Sequence, residues 1–519
     1  MKKFIFIPAV IILAFNCSAQ SNYQPDKRIL ATADGYKITV EEFKSRFDLS
    51  SHPGTDKPLD TALVKKDYLY TLIAEKLLAR KAESLKLGAA EDVSGQLKYI
   101  EKLYVRDALY KKEISDKIKI TPADISKAEK HSSEILFVKF LRSADIIHIG
   151  TLYSQLKKGA KLDSLLAGRP EAADQKSLLK VTFGSLGGFV EDSLYKLKPG
   201  QFTAPLMMEN QWYIFKLYKI AREPFSDSPT NLIKIRSILE KTQADNLEKV
   251  FLKSIRRRYN IKIDGHLFTE LTEASKKYFK GKASGIKEGN KPGFIYLTAD
   301  DINGIENLLR HASLNSKFIK FKVRPETLKR FLEQLKYEEI KIDFRSLGAI
   351  RYIFNEIIKN YVQNELLTRE GYKLGLEKSS RVKKDMSAWK SYYLSQKLER
   401  EIYDSIFVSD KEAREFFEKH RKFFYKPDVP ADSSFAENKN EIISKIKNIV
   451  LENKLNDYTA GLALKYGVKI NENIFHSIKV RITRGATVKM IGFGGKILAF
   501  PNTPVFAGWY RVYLNKKSR

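Results

Sequence analysis

A single cysteine, Cys17, stands in 519 residues. No disulfide can close within the chain, so stability must come from packing whatever the redox compartment. Acidic side chains are also scarce: 62 Asp and Glu face 93 Lys and Arg, a formal charge of +31. Beyond Phe4–Phe15, no apolar run approaches the roughly 20 residues that a membrane-spanning helix needs. The chain has no metal-ligand spacing, no glycine-rich phosphate loop and no nucleophile motif, so neither a metal nor a cofactor is expected. These gaps exclude disulfide-stapled scaffolds, multi-span membrane proteins and the common metal and nucleotide enzymes.

What is present begins at the amino end. Met1-Lys2-Lys3 is basic, Phe4–Phe15 is apolar, and Asn16-Cys17-Ser18-Ala19-Gln20 is small and polar. That is the three-part layout of a secretory signal peptide, residues 1–19. Two processing routes are open. Cys17 and Ala19 fit the small residues of a signal-peptidase site, with Gln20 as the new first residue. Alternatively Cys17 is the lipidated first residue of a lipoprotein, although Ala14-Phe15-Asn16 departs from the usual Leu-Ala-Gly type. Both routes place the chain in a periplasm, either as a soluble protein or held to the outer membrane by an N-terminal lipid. The positive charge is spread along the chain at helix-like spacing. It reads as solvated helix faces or as attraction to acidic partners, anionic membrane or acidic unfolded polypeptide. Nucleic acid is the third reading, and the export signal counts against it.

The length fits two to four domains, and 43% hydrophobic content suffices for ordinary cores. An internal repeat organises them. Glu75-Lys76-Leu77-Leu78 and Lys86-Leu87-Gly88 recur as Asn364-Glu365-Leu366-Leu367 and Lys373-Leu374-Gly375; Glu129-Lys130-His131 recurs as Glu418-Lys419-His420. Leu77 and Leu366, like His131 and His420, stand 289 positions apart. Further on, Arg258–Phe268 recurs as Lys465–Phe475, with Tyr259 and Tyr466 only 207 apart, so the second copy is 82 residues shorter between these anchors. The first copy keeps that segment as an insert, 126–224.

The flanks of the insert read as helices. Leu69, Leu72, Ile73 and Leu77, and Phe354, Ile357, Ile358, Tyr361 and Val362, form apolar stripes at helical spacing. Gly88 and Gly375 are expected as left-handed helix stops. Thr39–Glu42 and Ser409–Glu412 fit capping boxes, and Thr121-Pro122 fits a cap with proline at the first helical position. Ile29–Ile38 around Asp34-Gly35 reads as a hairpin. The lysine- and glycine-rich stretch 276–294 reads as a linker, and Val429–Ser434 as a second break.

Within the insert the order is strand (Ile135–Val138), helix (144–158, ending at Gly159), glycine turn (Phe183–Phe189), the turn Leu197-Lys198-Pro199-Gly200-Gln201-Phe202, and a last strand (Trp212–Tyr218). Glu134-Ile135-Leu136-Phe137, Gly184–Phe189, Leu197–Thr203 and Gln211–Phe215 resemble the motifs His-Ile-Leu-Val, Gly-Asp-Leu-Gly-Trp-Phe, Leu-Lys-Pro-Gly-Glu-Val-Ser and Gly-Tyr-His-Ile-Ile of parvulin-type peptidyl-prolyl isomerases. The helical flanks resemble those of the SurA and PrsA foldases. The resemblance implies an α+β, mostly helical protein: two SurA-like helical modules, the first carrying a small α/β parvulin-like domain. In that arrangement 20–125 pairs with the helix and strand of 225–275, and 295–427 pairs with 437–480. Residues 481–519 remain as a basic tail with eight Lys and Arg and no acidic residue. It reads as a hairpin that meets anionic lipid or a partner, or as a poorly ordered end.

The resemblance also implies two core histidines with a neighbouring Cys or Asp, and a Met and a Phe in a proline pocket. This chain departs there. Glu134 and Tyr213 stand at the two histidine positions. His131 is three residues early, on the wrong face if the strand extends to it. His148 falls on the helix as a packing or surface residue, and Asp174 lies loosely near the Cys/Asp position. Phe183, Phe189, Met207 and Trp212 are the candidates for substrate binding, with packing as the plainer reading of the methionine. The expectation is a folding factor that has kept the isomerase fold and lost most of its activity. Its clients are unfolded polypeptides, outer-membrane protein precursors above all. An active isomerase and an envelope scaffold are the alternatives.

Overall fold

The computed structural model describes residues 26–33, 35–52, 61–186, 188–259, 261–284, 294–424, 431–483 and 485–518. Cys17 and the stretch 1–19 read as a signal peptide lie outside the described residues. The chain is mostly helical with small antiparallel sheets, an α+β protein. Among the described residues no helix is long and apolar enough to cross a membrane.

The chain opens with the hairpin of β1 (Ile29–Ala33) and β2 (Tyr36–Thr39), turning at Gly35, where φ is 80° and a side chain would be strained. Thr39 caps α1 (Val40–Leu49) by accepting from the Glu42 N–H. The Glu42 carboxylate goes to Lys76 at 2.9 Å, so the reciprocal half of the expected box is spent on packing α1 against α2 (Thr61–Ser84). Helix α2 ends before Gly88. Lys86 takes the left-handed conformation instead, φ 57°, and Gly88 sits in a short 3-10 turn that leads to α3 (Glu91–Glu113). Thr121 and Asp124 make a full capping box on α4 (Pro122–Ser132).

The insert follows: β3 (Glu134–Ser143), α5 (Ile146–Lys157), α6 (Leu162–Leu166), β4 (Leu179–Val181), α7 (Gly188–Leu194), β5 (Leu206–Met208) and β6 (Gln211–Arg222). Then come α8 (Pro229–Arg258), β7 (Lys262–Ile263) and α9 (Gly265–Ser284). The stretch read as a linker is thus helical up to Ser284, because its lysines alternate with Phe279, which is buried against Phe344. Residues 285–293 lie outside the described residues. Next are β8 (Ile295–Tyr296), α10 (Ala299–Glu306), α11 (His311–Asn315), β9 (Lys317–Lys320), β10 (Glu326–Thr327), α12 (Leu328–Leu335), β11 (Lys341–Ile342) and α13 (Leu347–Lys373). Gly375, φ 67°, stops α13 as expected. The last stretch holds α14 (Ser380–Asp404), α15 (Asp410–Lys419), capped by the Ser409–Glu412 box, α16 (Arg421–Phe424) and α17 (Ala431–Tyr466). The described part of the second break, from Ala431, is already helix. It ends with β12 (Lys469–Ile470), α18 (Glu472–Ser477), the hairpin β13 (Val488–Met490) and β14 (Lys496–Leu498), and α19 (Trp509–Lys517).

Two compact units result. One takes the residues up to Val105 and those from Glu377 on; the other is the continuous stretch Arg106–Leu376. The sheets reveal how the repeat is used. In the first unit the order is β12-β1-β2; in the second it is β10-β9-β7. Hairpin β1-β2 is the first copy's, and its third strand β12 is the second copy's. Hairpin β9-β10 is the second copy's, and its third strand β7 is the first copy's. The registers match residue for residue: Ala31↔Ile470 and Thr32↔Lys469 in one, Ile319↔Ile263 and Lys320↔Lys262 in the other. The expected pairing of each copy with its own flank is therefore corrected: the copies exchange strands. Chemically alike strands leave the choice of partner to the connections, not to the strand sequences.

The core of the first unit joins Leu30, Phe43 and Phe47 to Leu72, Ile73 and Leu77 of α2, to Leu394 and Leu398 of α14 and to Leu455 and Ala463 of α17. The basic tail belongs to this core. Trp509 is fully buried and donates from Nε1 to the Tyr70 carbonyl at 3.1 Å, and Tyr510 stacks on Tyr70 at 3.9 Å. Beneath it Arg46, 0% exposed, and Glu75, 2% exposed, form a two-pronged pair at 2.9 and 2.8 Å, and Thr503 of the tail donates to the same carboxylate at 2.9 Å. Burial alone would pull the Arg46 guanidinium down; the Glu75 charge and hydrogen bonds reverse this and raise it.

Glu399 of α14 lies in the same unit and is only partly exposed. Burial pushes its carboxyl up to about 7, with a hydrogen bond from Gln396 opposing and the Glu75 charge assisting. In the unfolded chain a glutamate titrates near about 4.3. The folded state therefore holds the proton more tightly, and the stability gained below the unfolded value is lost as pH rises through about 7. Glu399→Gln is expected to flatten that fall, a gain on the order of 2 kcal/mol at alkaline pH. Urea midpoints measured across the pH range check it; a variant with an unaltered slope would contradict the assignment.

Candidate functional site: the inserted sheet

The insert is a four-stranded sheet in the order β4-β3-β6-β5, within the second unit. Its spine is the long antiparallel ladder of β3 and β6, from Glu134↔Arg222 to Ser143↔Trp212. Strand β4 covers only Leu136–Val138. Beyond it the edge of β3 would leave backbone groups unpaired, which burial penalises. Two buried side chains take over. Gln175 accepts from Phe140 N at 2.7 Å and donates to Phe140 O at 3.0 Å, and Glu171 accepts from Arg142 N at 3.2 Å. Asp174, placed near the family's Cys/Asp position, is exposed.

Alternation sorts the strands into two faces. Leu141, Ile214 and Trp212 pack with α5 and α6. Leu136, Val138, Tyr213, Phe215 and Leu217 face α7. Tyr213 lies 5.5 Å from Phe140 and 5.7 Å from Phe215, ring centre to ring centre, and half-buried Phe140, Phe189, Leu206 and Met208 surround them. The result is an aromatic and aliphatic cluster in which Tyr213 and Phe215 are buried and the residues around them are half-buried. Phe140 was not among the sequence candidates, although its place two residues beyond Val138 in a strand carries the signal.

The candidates do not converge. Glu134 pairs with Arg222 and Tyr213 with Arg142, at opposite ends of the ladder. At about 3.3 Å per strand residue they are on the order of 25 Å apart. Glu134 lies near the Arg222 guanidinium at 3.7 Å. Met207 and Trp212 are register partners on the far face, Met207 being 42% exposed. Met208, its neighbour, borders the aromatic face instead. Of the four proposed substrate contacts only Phe189 lies there. Phe183 stands at the glycine turn, 6.3 Å from the ring of His131. His131 is on helix α4 and not on a strand, so the argument from strand faces does not apply; it stacks on Tyr195 at 3.9 Å. Burial lowers its affinity for a proton. His148 bonds Arg169 at 2.7 Å on α5.

The glycine turn has a local cause. Gly184, φ 82°, and Leu186 donate to the buried Glu191 carboxylate at 2.8 and 2.6 Å. Burial raises that carboxyl despite the two donors. The absence of side chains at Gly184 and Gly188 makes room for α8: a Cβ there would stand 2.5 Å from Ile238 and 2.1 Å from Thr242. Two turns further along α8, Lys249 Nζ lies 4.4 Å above the Phe189 ring. Helix α8 thus seats directly on the turn. Among the described residues there is no group of three or more metal-binding side chains.

No family model matches the chain, and no curated protein matches it. Solved structures do. The peptidylprolyl isomerase PrsA of Bacillus cereus is 16% identical over 45% of this chain and 92% of its own, with a TM-score of 0.20. PrsA of Bacillus anthracis is 18% identical over 36% and 96%, with a TM-score of 0.20. PrsA of Bacillus subtilis is 20% identical over 44% and 92%, with a TM-score of 0.16. TM-scores this low do not establish a shared fold.

Proposed function

We propose that the protein is a periplasmic folding factor, SurA- and PrsA-like, that binds unfolded polypeptides, with outer-membrane protein precursors as its natural clients. Its parvulin-like insert holds apolar side chains without isomerising prolines. One observation carries this: the positions expected to supply the polar pair are separated along the ladder, and Tyr213 sits in an aromatic and aliphatic cluster with half-buried Phe140 and Phe189 at its edge. Rotation about an Xaa-Pro bond is slow because the twisted amide is costly, and lowering that cost calls for polar groups aimed at the amide. An aromatic face offers transient apolar contact instead.

Two measurements on the mature protein test the reading. With an Xaa-Pro peptide, relaxation should stay on the uncatalysed scale of about tens to hundreds of seconds; catalysis at the level of an active parvulin would overturn the non-catalytic insert. With an unfolded β-barrel protein, aggregation should be suppressed at low molar ratio. No suppression, together with one stoichiometric co-purifying partner, would favour a scaffold.

A further inference from the structure

The repeat has left one groove filled and its counterpart open. In the first unit α2 and α17 form a seat for α19. Trp509 and Tyr510 lie on Tyr70 of α2, Phe506 N donates to Thr71 Oγ1 at 2.9 Å, and Gly508 abuts Asn456 of α17. Through the repeat, α13 corresponds to α2 and α8 to α17. In the second unit the matching place, between α8 and α13, is a groove of about 290 Å³. Leu252, Ile255 and Ile261 line one side, and Val362 and Leu366 the other. Among the described residues no segment of this unit is positioned there as α19 is in the first.

The two seats differ in charge. Where the first has Tyr70 and Ala463, the second has Lys359 and Arg256, both exposed at the groove's edge. Lys359 contacts Glu356 at 2.6 Å and Arg256 donates to Gln363 at 2.7 Å, and among the described residues no carboxylate lines the groove itself. Exposed Lys253 and Arg257 of α8 adjoin in sequence the lining residues Leu252 and Arg256. The apolar floor matches an aromatic helix face like that of α19, and the rim rejects the basic flanks that α19 carries.

We propose that the groove between α8 and α13 binds a short aromatic helix flanked by carboxylates, presented by a client polypeptide. This rests on the polypeptide-binding reading above and names the chemistry of one of its sites. The probes are two labelled peptides: the tail segment 503–518, and the same segment with R511E, K516E and K517E. Fluorescence anisotropy with the full mature chain should favour the acidic peptide by about tenfold or more. V362E should weaken it by at least about tenfold, and the double reversal R256E/K359E should invert the preference. Equal binding of both peptides, or indifference to V362E and to the reversal, overturns the proposal. Tighter binding of the native tail peptide also overturns it, pointing to the tail of a second copy. Suppression of barrel-protein aggregation, run on the same samples, separates the two readings: wild-type suppression without peptide binding removes the groove alone.

Discussion

Glu75→Leu is expected to destabilise the first unit by about 3–5 kcal/mol, because it leaves the Arg46 guanidinium buried with no counter-charge. The pair is fully enclosed, and Arg46 meets the carboxylate through both terminal nitrogens. Removing one member strands the other in a medium that solvates charge poorly. Removing both is a different experiment. Arg46→Met with Glu75→Leu replaces two charges by apolar groups of similar size, and most of the loss should be recovered. The tail gives a further check, since Thr503 donates to the same carboxylate. Urea unfolding followed by tryptophan fluorescence in a Trp212→Phe background reports on the first unit alone, because the other two tryptophans, Trp389 and Trp509, belong to it. A double variant as weak as Glu75→Leu would contradict the account.

Trp509→Ala should cost about as much, roughly 3–5 kcal/mol, as a large ring lost from a closed core leaves a cavity. Trp509 has no exposed surface, its indole nitrogen is bonded to the Tyr70 carbonyl, and Tyr510 and Tyr513 pack around it. Trp509→Phe keeps much of the volume and loses the hydrogen bond, so its cost should be markedly smaller. The same urea series, read by circular dichroism because the reporter itself is changed, measures both. A Trp509→Ala variant with an unchanged midpoint would mean that the tail is no part of the core.

Much of this was legible in the sequence, and the parts that were not have physical reasons. Caps at Thr121 and Ser409 and the stop at Gly375 depend on a few neighbouring residues, so local reading finds them. Gly88 and the Glu42 half of a capping box went otherwise because Lys86 accepted the left-handed turn and Lys76 offered a charge partner. The helical stretch up to Ser284 looked like a linker by composition, while Phe279 alone decides its burial. The exchange of strands was invisible, since a repeat reveals which segments are alike but not which of two similar partners each takes. In the insert, the order of strands and helices and the glycine turns were readable, and the α8 contact explains the glycines better than composition can. Met207 and Met208 are neighbours in sequence, and in a strand one residue is the difference between two faces: Met208 borders the aromatic cluster and Met207 pairs with Trp212 on the other side. Glu134 and Tyr213 were placed by motif, and only the ladder register separates them.

The crossed pairing of β1 with β12 also sets a timetable. A polypeptide is made from its amino end, and the hairpin at Ile29–Thr39 must wait for Lys469 and Ile470, far along the chain, before its third strand exists. The stretch 106–376 needs nothing from outside itself for β9 to meet β7. As the chain emerges amino end first, the unit 106–376 can therefore close ahead of the other, and the residues up to Val105 wait as an unfinished half, in need of the same protection from aggregation that the finished molecule is proposed to give to others.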